Sequence, residues 1–381
     1  MKKSSLCLAL LLLLASVVAW SQETTPAETT SATPSATASL NPDISVIGNV
    51  LGVVAGSDAS DAEHHIQLHE LELVFGARIY PGIRGDAVIA LHDPEFSAEV
   101  EEGYVTFEQF SPRAPIGGRL GIVRLPFGKT NPVHPHQLPY ADTPSVIANL
   151  LGDEFIGNGF EVIGLVPTPK SFFLQGQLGR WAPRAHHHDE ETTGEADHDH
   201  ELGAGFHDTF TLGRLWTSTS LPGDAELELG VSGAFGKGEH EETDDQGAVI
   251  AIHHPEIRLL GGDVTWRKWL SGERRLLLQG EAIHREEKHE DGTHRQFGYF
   301  LLGTYRPSHF YELGTRYDWS EAPGHEAEHE SYLSAFVTRF LNETTFTRLQ
   351  VKHGTNVEGK TVNEVSLQLV FGFGPHAHVL Q

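Results

Sequence analysis

From Asn41 onward apolar and polar residues alternate with a period of two, the signature of strands that are apolar on one face only. Leu71, Leu73, Phe75, Ala77 and Ile79 interleave with Glu70, Glu72, Gly76 and Arg78. Leu227, Leu229 and Val231 interleave with Glu226, Glu228 and Gly230, and the same rhythm returns at Val365, Leu367, Leu369 and Phe371. Such runs predict sixteen strands, near 42–55, 65–80, 84–93, 99–110, 117–125, 157–166, 171–181, 208–220, 225–236, 255–268, 274–286, 296–306, 309–319, 331–341, 344–353 and 363–373. The connections alternate strictly: short at 81–83, 111–116, 167–170, 221–224, 270–273, 307–308 and 342–343, long between them. An even strand number with short turns at one end and long loops at the other is how bacterial outer-membrane barrels are built. A soluble sandwich or propeller has many short strands too, but no reason to alternate its turn lengths. The expected fold is therefore all-β, a transmembrane antiparallel barrel of about 16 strands with long outer loops and short periplasmic turns.

Residues ahead of the barrel carry an address. Lys2 and Lys3 precede an apolar run from Leu6 to Val18 and the small-residue pattern Ala19-Trp20-Ser21, so 1–21 reads as a cleaved signal peptide. Residues 22–40, a Ser, Thr, Pro and Ala tract, read as a disordered lead, and 41–381 as the barrel. No other stretch approaches the roughly 18 to 20 consecutive apolar residues of a spanning helix. Cys7, the single cysteine, lies in the signal, so disulfides and a lipid anchor on the mature chain are not expected. Aromatics near strand ends, Tyr80, Trp181, Trp216, Trp266, Trp269 and Trp319, suit interfacial girdles or ordinary strand-end packing.

Composition agrees with a closed sheet in lipid, where alternate apolar residues suffice because every backbone group is paired within the protein; 39% hydrophobic content is enough. The net charge of −25 becomes −27 when Lys2 and Lys3 leave with the signal, which disfavours nucleic acid as a partner. Nucleophile elbows, phosphate loops and zinc-protease helices are absent from the sequence, and no enzymatic activity is expected.

The 24 histidines change the picture most. On the expected topology all but His309, His376 and His378 fall in the long loops or the strand ends adjoining them. The candidate metal ligands are His64, His65, His69, His134, His136, His186, His187, His188, His198, His200, His240, His289 and His294, many beside Asp or Glu. Neutral imidazole with carboxylate suits zinc, nickel or copper, and mobile loops can converge on such an ion. Solvated loops would need only the acids, and a pH-sensing role for the imidazoles stays open. Inward rows of mixed sign, Glu70, Glu72, Asp86, Glu108, Glu281 and Glu312 against Arg78, Arg119, Arg316, Arg348 and Lys352, are candidate pore-lining residues.

Four stretches stand out: Asn41-Pro42-Asp43-Ile44-Ser45-Val46-Ile47, residues 121–140 with Asn131 and His134-Pro135-His136, residues 155–169, and the ending Leu367-Gln368-Leu369-Val370-Phe371-Gly372-Phe373-Gly374-Pro375-His376. They resemble a family of proteobacterial outer-membrane proteins related to the phosphate-selective porins O and P and described as zinc-regulated. The resemblance implies a porin-like barrel and a link to zinc supply; the expected partners are outer-membrane lipid and metal ions or small solutes, with a homotrimer left open. Two family associations do not fit. A plug domain has no room ahead of the first strand, and the loops lack the lysine clusters of an anion pore. By analogy with sixteen-stranded porins, the loop at 126–156 either folds inward as a constriction or lies outside as a lid. The leading expectation is passive or facilitated entry of a divalent metal ion, zinc first, with histidine and acidic outer loops concentrating it and no cofactor required. The alternatives are a general diffusion porin without a metal role and a surface binding barrel with a blocked lumen.

Overall fold

Backbone hydrogen bonding closes the sheet on itself. In chain order the strands are β1 (Asp43–Gly56), β2 (Ile66–Tyr80), β3 (Ile83–His92), β4 (Ser97–Phe107), β5 (Ile116–Arg124), β6 (Ile156–Leu165), β7 (Phe172–Pro183), β8 (Phe210–Leu221) and β9 (Ala225–Lys237). They continue with β10 (His240–Thr243), β11 (Val249–His253), β12 (Glu256–Trp269), β13 (Arg275–Lys288), β14 (Thr293–Ser308), β15 (Tyr311–Glu321), β16 (His329–Phe340), β17 (Phe346–Thr355) and β18 (Thr361–Phe373). Sixteen of them form one antiparallel barrel, each paired with its neighbours in sequence, with β1 against β18 at the seam and β9 against β12. Strands β10 and β11 pair only with each other, a hairpin in the β9–β12 loop that the sequence reading passed over. The computed structural model describes residues 42–56, 66–92, 97–152, 154–168, 172–184, 203–243, 249–289, 292–322 and 328–375. The expected signal peptide and lead lie outside the described residues.

Burial is inverted relative to a water-soluble sandwich. On β15, Glu312, Arg316, Asp318 and Ser320 are buried while Tyr311, Leu313 and Tyr317 are exposed. Leu178, Leu215, Leu260, Leu278, Leu301 and Leu333 are likewise exposed on their strands. A continuous apolar outer face with charged side chains on the inner one is stable only when lipid replaces water outside. Leu301, 56% exposed, gives a direct test: Leu301→Arg should lower the folding stability of the barrel in lipid vesicles by roughly 2–4 kcal/mol if it sits near the bilayer midplane. Denaturant titration in vesicles reads the change, and an unaltered midpoint would place this face in water.

The inner wall is not uniformly polar. Phe210, Leu212, Ala234, Ile257, Leu259, Ile283, Phe300 and Leu302 form an apolar patch facing inward from β8, β9 and β12–β14. Strands such as β12 and β14 are therefore apolar on both faces over part of their length, which signals something packed inside the barrel. Trp181 is fully buried, and Trp216 faces inward with its ring 4.6 Å from that of Phe173. These two tryptophans leave the expected girdle.

Candidate metal centre at the constriction

The occupant of the apolar patch is the segment between β5 and β6, so the inward alternative holds and the lid alternative falls. Its two ends are stapled by Asn131, whose side-chain amide donates to the Leu125 carbonyl at 2.8 Å and the Phe155 carbonyl at 2.9 Å, while its Oδ1 accepts from Phe155 N–H at 2.9 Å. Gly128 adopts φ +65°, and a Cβ there would lie 1.6 Å from Glu281 Oε1. Only glycine lets the backbone press this close to the wall. Glu281 Oε2 accepts from Thr130 N–H at 3.1 Å and from Thr130 Oγ1 at 2.8 Å, and Lys129 pairs with Glu228.

Farther along, a second set of contacts holds the segment to β15 and β17. Arg316 donates to Asp142 Oδ1 and to the Asp142 carbonyl, both at 2.9 Å, Lys352 reaches Asp142 Oδ2 at 3.2 Å, and Arg348 donates to the Tyr140 carbonyl at 2.8 Å. Burial alone would raise the Asp142 carboxyl, but Arg316 and Lys352 outweigh it and bring it down to about 2. Helix α1 (Ser145–Leu151) then buries Val146, Ile147, Leu150 and Leu151 in the same cluster as the wall patch and ends at Gly152 in the left-handed region.

Between these two attachments the segment presents two histidines. The residue before a proline is held extended, and His134 ahead of Pro135 is so, at φ −64° and ψ 145°, before a short turn over Pro135–Gln137. This carries His134 and His136 to the same patch of wall, ring centroids 5.7 Å apart. There His136 Nδ1 lies 2.9 Å and His134 Nδ1 3.2 Å from Glu72 Oε1. His134 Nδ1 is also 3.3 Å from Glu101 Oε2, and its Nε2 is 3.2 Å from Glu102 Oε2.

A β-bulge explains why two consecutive glutamates both face inward. In the β3–β4 register Val88 opposes Glu102 and Ile89 opposes Val100, leaving Glu101 as the extra residue. A regular strand would send one of the pair outward; the bulge re-aims it. Glu70 stands directly opposite His92 in the β2–β3 ladder, and His92 Nε2 is 3.6 Å from Glu101 Oε1. The outcome is two three-residue sets, Glu72, His134 and His136, and Glu70, His92 and Glu101, whose ligand atoms within each set lie within 4.8 Å of one another.

Charge in this cluster is unbalanced. Glu70, Glu72, Glu101 and Glu102 are all buried. Among the described residues the full-time cation against them is Arg124, 3.7 Å from Glu101 and also paired with Glu154. Glu72 Oε2 and both Glu101 oxygens are buried without a hydrogen bond of good geometry. Buried carboxylates on this scale demand cations or protons. Burial would lower the His134 ring, but Glu72, with help from Glu101 and Glu102, holds it well above its ordinary value. Several other inner charges cancel locally, as in Arg119 with Glu161, Arg214 with Asp263 at 2.7 Å and Arg316 with Asp318 at 2.7 Å.

The structure thus brings together His134 and His136 from the expected metal ligands with Glu70 and Glu72 from the expected pore lining. Sequence reasoning did not single out His92, Glu101, Glu102 or Arg124; the adjacent Glu101-Glu102 inside an alternating strand was the available signal of a bulge. Glu281, Glu312, Arg316 and Arg348 are buried on the inner side. Lys352 and Arg119 face inward in ion pairs, and Asp86 holds Arg84 at 2.7 Å. Arg78 and Glu108 form an exposed pair at 2.7 Å toward the short-turn end, away from the constriction. His69 is the extra residue of a bulge in β2 and is exposed. His289 lies 3.0 Å from Glu287 with its ring 5.1 Å from that of His294, and His240 stands opposite His253 in the small hairpin. His64, His65, His186, His187, His188, His198 and His200 lie outside the described residues.

No family model matches the chain. An uncharacterized protein of Aquifex aeolicus (strain VF5) is 24% identical over 278 residues, 68% of this chain and 58% of that protein, so the chain spans under two thirds of the length of the curated relative it matches. Among solved structures, a loop L8 deletion mutant of OmpT, an outer membrane protein of Vibrio cholerae, superposes with TM-score 0.57 at 11% identity, covering 87% of this chain and 99% of that one. An anion-selective porin from Comamonas acidovorans gives 0.55 at 12% identity, covering 87% and 100%. The outer membrane channel DcaP of Acinetobacter baumannii gives 0.53 at 11%, covering 87% and 96%. The chain has the fold of porin-like outer-membrane barrels.

Proposed function

We propose that this chain is an outer-membrane channel that admits divalent metal ions, zinc first among them, past a His and carboxylate cluster at its constriction. The observation that carries the reading is the paired set of buried ligands, Glu72 with His134 and His136 beside Glu70 with His92 and Glu101. Two imidazoles and a carboxylate are a donor set that zinc accepts, with room for water or a carboxylate as the fourth ligand. Two adjoining three-ligand sets give an ion a second site to move on to, which a channel needs and a storage site does not. The barrel belongs in the bacterial outer membrane on this reading, in contact with lipid on all sides or as a homotrimer, and the acidic, histidine-bearing outer loops raise the ion concentration at the mouth.

Reversal potentials in planar bilayers under a zinc chloride gradient test it: the account expects cation preference, and micromolar zinc should slow potassium current by occupying the constriction. Anion preference, or current indifferent to zinc, would favour the general diffusion porin, and a barrel without single-channel steps would favour the surface binding reading. Because Glu72, Glu101 and Glu102 raise the His134 ring above its ordinary value, zinc competes with a proton there. Affinity should rise about tenfold per pH unit for each proton released. Calorimetry at pH 6 and 7.5 in buffers of different ionisation enthalpy reads the released protons; zinc binding that ignores pH would rule the imidazoles out as ligands.

A further inference from the structure

The outer surface carries a feature that metal passage does not use. At the long-loop end of the barrel a groove of about 780 Å³ opens over β7–β9 and β12, lined among others by Arg180, Lys237, Arg258, Phe235 and Thr209. Strand register places it on the lipid-facing side. Arg180, Thr211, Phe235 and Arg258 form one lateral row, and the next row toward the membrane centre is Leu178, Gly213, Gly233 and Leu260. Leu178, Leu260 and Phe235 are exposed.

Cations are scarce in this protein, 27 against 52 acids, yet they collect here. Arg180 is satisfied only by hydroxyls among the described residues, Thr209 Oγ1 at 2.7 Å and Thr211 Oγ1 at 3.0 Å. Lys237 has no ion pair among the described residues. Arg258 shares Glu256 at 3.4 Å and Glu286 at 3.8 Å, and Arg295 joins Glu286 at 3.2 Å one strand farther on. With Lys288 opposite Glu256, and with Asp208 and Glu239 at the loop edge, the belt carries five cations against four carboxylates. Basic side chains at the headgroup level of a membrane attract anionic lipid, and arginine forks match phosphate oxygens.

Directly beneath the cations, Gly213 and Gly233 lie side by side in register, so no side chain rises from that row between Leu178 and Leu260, and the Phe235 ring leaning over Gly233 and the Leu178 side chain beside Gly213 line a low apolar slot. The row after it, Gly176, Leu215, Val231 and Gly262, is apolar or bare as well. A headgroup site with an apolar slot below it suits an acyl chain lying under a charged head.

We propose that this groove binds a phosphate-bearing, acylated lipid of the outer leaflet, its phosphate on Arg180, Lys237 and Arg258 and one chain in the slot over Gly213 and Gly233. The occupant is a lipid rather than a free anion because the apolar slot continues the cationic one.

The test uses the full folded barrel in detergent and bisphosphorylated lipid A as the probe, with retention read by native mass spectrometry. Substituting Arg180→Gln, Lys237→Gln and Arg258→Gln together should lower retention at least tenfold, whereas Lys268→Gln, at the opposite end of the same face, should leave it unchanged. Removing both phosphates from the probe should cause a comparable loss. Gly213→Trp, which fills the slot and leaves the cations in place, should weaken lipid but not inorganic phosphate. Heat-modified migration on gels confirms that each variant is folded. Equal retention by the triple variant, or competition by millimolar inorganic phosphate as effective as that by lipid A, would overturn the proposal. Both outcomes are independent of zinc passage.

Discussion

Replacing His134 and His136 together by alanine should weaken zinc binding to the folded barrel by on the order of 100-fold or more, since losing even an outer-shell partner of a metal ligand costs 10–100-fold. The two rings supply both nitrogens of the Glu72 set, and His134 also touches Glu101 and Glu102. The substitution should leave the loop in place, because its attachments run through Glu281 on one side and through Arg316, Lys352 and Arg348 on the other. Zinc titration by calorimetry should therefore change while the conductance of potassium stays near that of the parent. An affinity within threefold of the parent would move the metal site elsewhere.

The second large effect concerns the loop itself. Arg316 is buried between Asp318 and Asp142 and lies over the Tyr140 ring at 4.2 Å. Arg316→Ala strands Asp318 without its partner, and removing one member of a buried pair costs roughly 3–5 kcal/mol. The loop should detach from β15, and single-channel conductance should rise and become noisy. Arg316→Lys, which keeps the charge but loses the fork, should fall between. The latch also has a pH signature. The Asp142 carboxyl is depressed to about 2, so its contribution is fully present above the ordinary carboxylate range and is lost as the pH falls toward 2. Conductance should be steady from neutrality to pH 4 and climb only below it. An increase already complete at pH 5 would mean that a group other than Asp142 holds the loop.

The barrel was legible because its physics is local. Period-two alternation and alternating turn lengths specified all sixteen barrel strands, with ends displaced by a few residues, as at β14, which begins at Thr293 rather than near 296. The inward course of the loop was not legible from the loop. Its signal sat on the wall, where Ile257, Leu259 and Leu260 or Phe300, Leu301 and Leu302 break the alternation. The metal cluster was half legible. His134 and His136 drew notice as histidines near a constriction, and Glu70 and Glu72 as inward acids, but nothing in their spacing says that they meet. Glu101 needed the bulge, and His92 needed the β2–β3 register that sets it against Glu70. Non-local register is what a single sequence does not display, whereas strand rhythm is.

The most direct measurement is zinc K-edge absorption spectroscopy on the folded barrel after deleting residues 185–201, which removes the densest outer-loop histidines and keeps Pro183 and Arg184, the latter paired with Glu99 on β4. The account predicts one bound zinc with imidazole and carboxylate ligands at about 2.0–2.1 Å, lost again when His134→Ala and His136→Ala are added. A deletion that abolishes zinc binding while Glu72, His134 and His136 remain would contradict it.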